Sequence, residues 1–362
     1  MPRRVAAPAP TPLPGAARAH ARGIRLVAAS ARRGRPQGLP DVAARGHRTP
    51  HRKGYRMSLG GASLTASAPR HPHARHAPRH LRPNRTEHRM SQSHTAISSD
   101  GTSIAYDREG TGPVVVLIGG AMQFRAFDPV TRQLASVLAD RGYSVINYDR
   151  RGRGESHDAP SMTLDDSIAD LRAIVTELER TGELGDGVAL FGNSSGGSIA
   201  LAAAAAGLPV TALVLFEVPL GDELGADGAE FVAGLRERIA GDDPDAVVEY
   251  YMKDMPPAWL AGAKASPSWP IMVRIGPSLE PDAESLAWSQ SAPRRELWGH
   301  VIAPTLVLTG DETLDLMTTA AKSIESTLPN AEHRTIPAAN HSWEPHIMAT
   351  TIADFLHERA GI

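Results

Sequence analysis

The chain has 362 residues, enough for one large domain or two with a sizeable buried core. It contains no cysteine, which excludes disulfide and thiol chemistry and accords with a cytoplasmic protein. Its net charge of -2 conceals a split: residues 1–90 carry 19 Lys/Arg against 2 acidic residues, and residues 91–362 carry 19 against 38, so the two parts read as different kinds of unit.

Residues 1–90 are rich in Arg, Pro, Ala, Gly and His and show no sustained helical or strand period. Such a segment buries too little apolar surface to offset its ordering entropy, and a disordered basic extension is expected. Arg3-Arg4 is not followed by the apolar run of an export signal, since Pro8, Pro10, Pro12 and Pro14 stand there. A basic tail attracts nucleic acid by charge, and His71, His73, His76 and His80 suggest metal capture. The favoured reading is plainer: an upstream extension of the reading frame, with the start at Met90 or Met57.

From Thr95 a folded pattern begins. Ile97, the turn residues Asp100-Gly101 and Ile104-Ala105-Tyr106 predict a hairpin. Val114 to Ile118 is a continuous apolar run, as in a strand buried on both faces. A helical period follows in Phe127, Val130, Leu134 and Val137, then a strand from Ser144 to Tyr148. Thr163 with Asp166 three residues later predicts a capped helix carrying Leu164, Ile168, Leu171, Val175 and Leu178. A strand over Gly187–Phe191 runs directly into a helix from Ser195 to Ala206, and Val210–Phe216 is the next strand. Gly207-Leu208-Pro209 interrupts the apolar stretch from Ser198 to Phe216, so a membrane span is rejected.

Residues 219–300 break the alternation. They read as short helices (Phe231, Leu235, Ile239; then Val247, Val248, Tyr251, Met252) with Trp259, Trp269, Trp288 and Trp298, and an insertion of this length predicts a helical cap over the sheet. The chain then returns to a strand at Thr305–Leu308, a helix near Met317–Leu328, a strand around His333–Ile336 and a closing helix from Ile347 to Leu356. The whole predicts an α/β fold with a doubly wound, mostly parallel sheet spanning residues 91–362.

Gly192-Asn193-Ser194-Ser195-Gly196 fits G-x-S-x-G, a pattern that seats a serine on a tight strand-to-helix turn where small neighbours relieve crowding. The predicted strand before it and helix after it supply the required context, and the frame of the two glycines selects Ser194 over Ser195 as nucleophile. From about Ala96 onward the chain resembles the α/β-hydrolase fold superfamily. Three further stretches carry that resemblance: Gly119-Gly120-Ala121-Met122 after an early strand, Asp149-Arg150-Arg151-Gly152-Arg153-Gly154-Glu155-Ser156 (similar to a D-x-R-G-x-G-x-S loop) and Asn340-His341 after the last predicted strand.

The resemblance implies acyl transfer with Ser194 attacking, His341 as its base, and an oxyanion hole from the amides of Ser195 and Ala121, with Met122 the near alternative. His346 is the rival base, expected at the surface. The family's acid site falls on Thr313, which cannot serve, so two carboxylates compete. Asp311 lies two residues earlier, whereas Glu217 closes an apolar strand, where an unpaired charge is costly. Glu217 is favoured and Asp311 is the alternative; Asp315 is expected on the next helix. The implied chemistry calls for no metal and no organic cofactor. A small, apolar ester, thioester or lactone is the expected substrate, with no nucleic-acid or membrane partner. Carbon–carbon bond hydrolysis, a haloperoxidase-like activity and a non-catalytic small-ligand binding protein are the alternatives.

Overall fold

The computed structural model describes residues 92–159 and 161–362; the expectations about residues 1–90, including His71, His73, His76 and His80, lie outside the described residues. The strands are β1 (Gln92–Ile97), β2 (Ser103–Glu109), β3 (Val114–Ile118), β4 (Ser144–Tyr148), β5 (Val188–Asn193), β6 (Val210–Phe216), β7 (Thr305–Glu312), β8 (Ala331–Ala339) and β9 (Ser342–Trp343). They form one sheet in the order β1-β2-β4-β3-β5-β6-β7-β8-β9. The run from β4 to β8 is parallel, with antiparallel pairing at β1/β2, β2/β4 and β8/β9.

Helices α1 (Pro129–Asp140), α2 (Leu164–Arg180) and α3 (Ser195–Ala205) connect the first half of the sheet. The insertion after β6 folds as α4 (Asp227–Ile239), α5 (Pro244–Tyr251), α6 (Pro257–Ala265), α7 (Trp269–Arg274), α8 (Glu280–Trp288) and α9 (Arg294–Trp298). After β7 come α10 (Asp315–Thr327) and α11 (Pro345–Phe355).

The buried runs of β3, β4 and β5 split by parity between two cores, as the two-residue period of a strand requires. Val115, Leu117, Val145 and Phe191 face Leu134 and Leu138 of α1 and Met348, Ile352 and Phe355 of α11. Val114, Val116, Ile118, Ile146 and Leu190 face α2, α3 and α10 on the other side. Helix α3 is apolar and buried nearly all round, so the turn before it is held rigidly from every side.

The expected capping box is present: the Thr163 hydroxyl accepts from the Asp166 N–H, and the Asp166 carboxylate accepts from the Thr163 N–H. Two expectations change. Asp128 caps α1 with bonds to the N–H groups of Val130 and Thr131, which puts Phe127 outside the helix, stacked on Phe124, and turns Thr131, Leu134, Ala135 and Leu138 inward. The strand expected to stop at Leu308 runs on to Glu312, because Thr309 and Gly310 keep pairing with β8.

The insertion has a core of its own: Val232, Leu235, Val247, Val248, Tyr251, Met272 and Leu279 pack with Met122 and Phe124 from the loop after β3. It therefore sits on the carboxyl edge of the sheet as a helical cap. Its tryptophans divide in role: Trp298 is fully buried against the sheet-side core and bonds Thr327, with Trp288 packed on it, whereas Trp259 reaches the carboxyl edge.

Candidate active site

Because the central strands are parallel, the residues that follow them collect at one edge, where open α/β sheets place their ligands. Gly119-Gly120-Ala121 follows β3, Ser194 follows β5, Glu217 follows β6, and Asn340-His341 follows β8.

Ser194 has φ 56° and ψ -129°. Its N–H donates to the Phe216 carbonyl (2.9 Å) and its carbonyl accepts from the Gly197 N–H (2.9 Å), so neighbouring strand and helix pin the turn from both sides. Such backbone costs roughly 1–3 kcal/mol for a residue with a side chain. Among the described residues, the non-glycine residues with positive φ are Met122, Ser194, Glu217, Asn340 and His341, all at this edge. Strain concentrated in one place, on four different connections, makes that place the candidate site. Gly196 is required by close approach, since a β-carbon there would collide with the carbonyl oxygen of Ile118.

His341 Nδ1 lies 2.5 Å from Glu217 Oε2, and the other carboxylate oxygen accepts the Gly310 N–H at 3.0 Å. Glu217 is 2% exposed and His341 19%. Burial works against the Glu217 charge, but the hydrogen bond and charge of His341, with the Thr313 hydroxyl and the Gly310 N–H, outweigh it and hold the carboxyl below its usual range. An ionised carboxylate only accepts, so Nδ1 carries the hydrogen and Nε2 of the neutral ring is left with its lone pair. The Trp259 ring lies over the imidazole, 6.0 Å between centroids.

The other titratable candidates stand apart from this pair. Asp311 is exposed and accepts the Ala338 N–H at 2.9 Å. Asp315 opens α10 and His346 lies in the first turn of α11, both exposed. Thr313, the position at which the family resemblance implies an acid, stands beside Glu217.

The loop after β3 lies directly against the serine: a β-carbon on Gly120 would stand 2.9 Å from the Ser194 β-carbon. Gln123 ties the two loops together, its Oε1 accepting from Gly120 N–H (2.6 Å) and Asn193 Nδ2 (2.8 Å) while its Nε2 donates to Asp128 (2.7 Å). Ser195 is the first residue of α3, so its N–H has no partner within the helix. Its hydroxyl is buried and donates to Asp282 Oδ1 at 2.6 Å, whereas Ser194 is only half-buried.

Sequence reasoning placed Trp259 in the cap but not over the imidazole, and it missed Gln123 and Asp282. Arg150 and Arg153 were visible inside the D-x-R-G-x-G-x-S-like loop, but nothing local announces that both pair with a carboxylate 132 and 129 residues away. Among the described residues no group of three or more His, Cys, Asp or Glu is arranged to hold a metal ion.

The chain belongs to the alpha/beta hydrolase family, whose model matches residues 115–355. A zearalenone hydrolase of Cladophialophora bantiana is 33% identical over 111 residues, a match spanning 30% of this chain and 40% of that relative's length. An alpha/beta hydrolase from Sphaerobacter thermophilus is 33% identical with a TM-score of 0.61, over 73% of this chain and 100% of that one. An esterase from Thermogutta terrifontis, 21% identical with a TM-score of 0.56 over 75% of this chain and 100% of that one, shares the fold.

Proposed function

We propose that the protein is a serine hydrolase that cleaves a small, apolar ester, thioester or lactone through an acyl-enzyme. Ser194 attacks the carbonyl carbon while His341 Nε2 takes the hydroxyl proton, then returns it to the leaving oxygen or sulfur. The amides of Ser195 and Ala121 donate to the oxyanion as it forms. Water repeats the sequence in reverse roles: His341 removes its proton, the acyl–oxygen bond breaks, and Ser194 recovers its hydrogen. Glu217 holds the imidazole in the tautomer that presents Nε2 and stabilises the imidazolium between the two transfers.

The observation that carries this reading is the 2.5 Å pairing of His341 with a buried carboxylate at the edge where Ser194 is held in a strained turn. Trp259 over the imidazole and the apolar cap core that includes Met122 and Phe124 support this substrate class. A fluorophosphonate probe is expected to label the wild-type protein and to leave Ser194→Ala unlabelled. A panel of para-nitrophenyl esters of graded chain length then ranks substrates, with short acyl chains expected to be turned over fastest. A folded wild type that resists the probe would mean a non-catalytic ligand-binding protein instead.

A further inference from the structure

We infer that Arg153 and Asp282 are positioning residues that set both oxyanion amides from behind. The inference rests on the serine-hydrolase reading of the same site and deepens it.

Arg153 Nη1 donates to the Gly120 carbonyl at 2.8 Å and also reaches the Gln123 carbonyl at 3.2 Å. The Gly120 carbonyl and the Ala121 N–H belong to one peptide unit, and that unit is trans. In a planar trans peptide the two groups point in opposite directions. Gripping the carbonyl from the Arg153 side therefore turns the Ala121 N–H away from Arg153. A charged donor on the carbonyl also polarises the peptide, which strengthens the N–H as a donor, by about 10–30% for coupled hydrogen bonds.

The second amide is held by the other half of the cluster. Asp282 Oδ1 accepts from the Ser195 hydroxyl and from Arg150 Nη1, both at 2.6 Å, and Oδ2 accepts from Arg153 Nη2 at 2.6 Å. Arg153 is further fixed by the Ser278 hydroxyl and carbonyl, both at 2.9 Å. Asp282 is therefore the common node: one of its oxygens holds the residue that carries one amide, and the other holds the arginine that orients the second. The ion pairs persist at neutral pH. Burial and the like charge of Arg150 push the Arg153 pKa down only to about 10. Burial opposes the Asp282 charge, yet the two guanidinium groups outweigh it and keep that pKa below its usual range.

The geometry gives the D-x-R-G-x-G-x-S-like loop a task in the reaction. Its Arg151 serves the fold through a paired contact with Asp170, while Arg153 serves the oxyanion.

The test uses Arg153→Met, Arg153→Lys and Ser195→Ala in the full chain, with active sites counted by fluorophosphonate. Para-nitrophenyl butyrate is the substrate, and butylboronic acid, which forms a tetrahedral anion on the serine, reports oxyanion affinity. A whole oxyanion donor is worth about 10²–10³ in kcat, so Arg153→Met should lose about 10- to 100-fold per active site. KM should stay within about threefold, and boronate affinity should weaken by the same factor as kcat/KM. Arg153→Lys should recover part of both, and Ser195→Ala, which keeps the ion pairs, should show a smaller loss of the same kind. Full kcat in folded Arg153→Met, or a fall in kcat with unchanged boronate binding, would overturn the inference. If Arg153→Met does not fold, Arg153→Lys and Ser195→Ala decide it, and wild-type kcat and boronate binding in both would overturn it. Failure of the probe on wild type would instead remove the hydrolase reading and this inference with it.

Discussion

At the scale of single residues, the candidate site stores strain at the side chains that the proposed chemistry uses. Ser194 holds positive φ, which a glycine adopts at no steric cost. Ser194→Gly should therefore raise stability by about 1 kcal/mol in urea unfolding while abolishing fluorophosphonate labelling. Equal or lower stability would show that the turn is relaxed. Glu217 carries a second expectation. Glu217→Gln should lower turnover by a factor of order 10³–10⁴, because the amide no longer fixes the imidazole tautomer, while Asp311→Asn should stay close to wild type. Equal mild losses in both would remove Glu217 from the mechanism. The motif around Ser194 and the isolated Asn340-His341 were legible in the sequence because short-range patterns encode tight turns. Glu217 was legible only as an oddity, a charge closing an apolar strand, and its partner lies 124 residues away.

Among the elements, those with a strong period were readable and those defined by pairing were not. The Thr163 and Asp166 box starts α2 where the sequence places it, and Thr163→Ala should cost about 1 kcal/mol in unfolding free energy. Unchanged stability in that variant would mean that packing of the α2 apolar face alone fixes the helix start. The continuation of β7 through Glu312 was invisible because Gly310, Asp311 and Glu312 have turn-like composition; their strand geometry is imposed by β8. That continuation engages the Asp311 carboxylate with the Ala338 N–H and brings the Gly310 N–H to Glu217. The two-residue β9 has no sequence signal of its own, since it exists only as a partner for the end of β8.

For the whole molecule, the buried ion cluster joins the helical insertion to the sheet. Asp282 answers two arginines that are themselves buried, and removing the acid would leave both without their partner. Asp282→Asn should cost about 3–5 kcal/mol at neutral pH, the usual penalty for breaking a buried pair. Because the Asp282 pKa is depressed in the folded state, its contribution is fully present above the ordinary carboxylate value, near 4, and is lost as pH falls through the lower folded value. Urea titrations of wild type and variant should therefore converge below about pH 4; curves that stay parallel down to pH 2.5 would assign the pH dependence elsewhere.

The insertion leaves the sheet immediately after Glu217 and rejoins it just before β7, so its two ends are neighbours in the sheet. A different lid grafted between those points would leave Ser194, Glu217 and His341 in place, yet it would strand two cations unless it brought an acid to the place of Asp282. Swapping lids to broaden the substrate range is thus a modular operation with one obligatory rivet, and chimaeras lacking it should express as protein that folds poorly and turns over slowly.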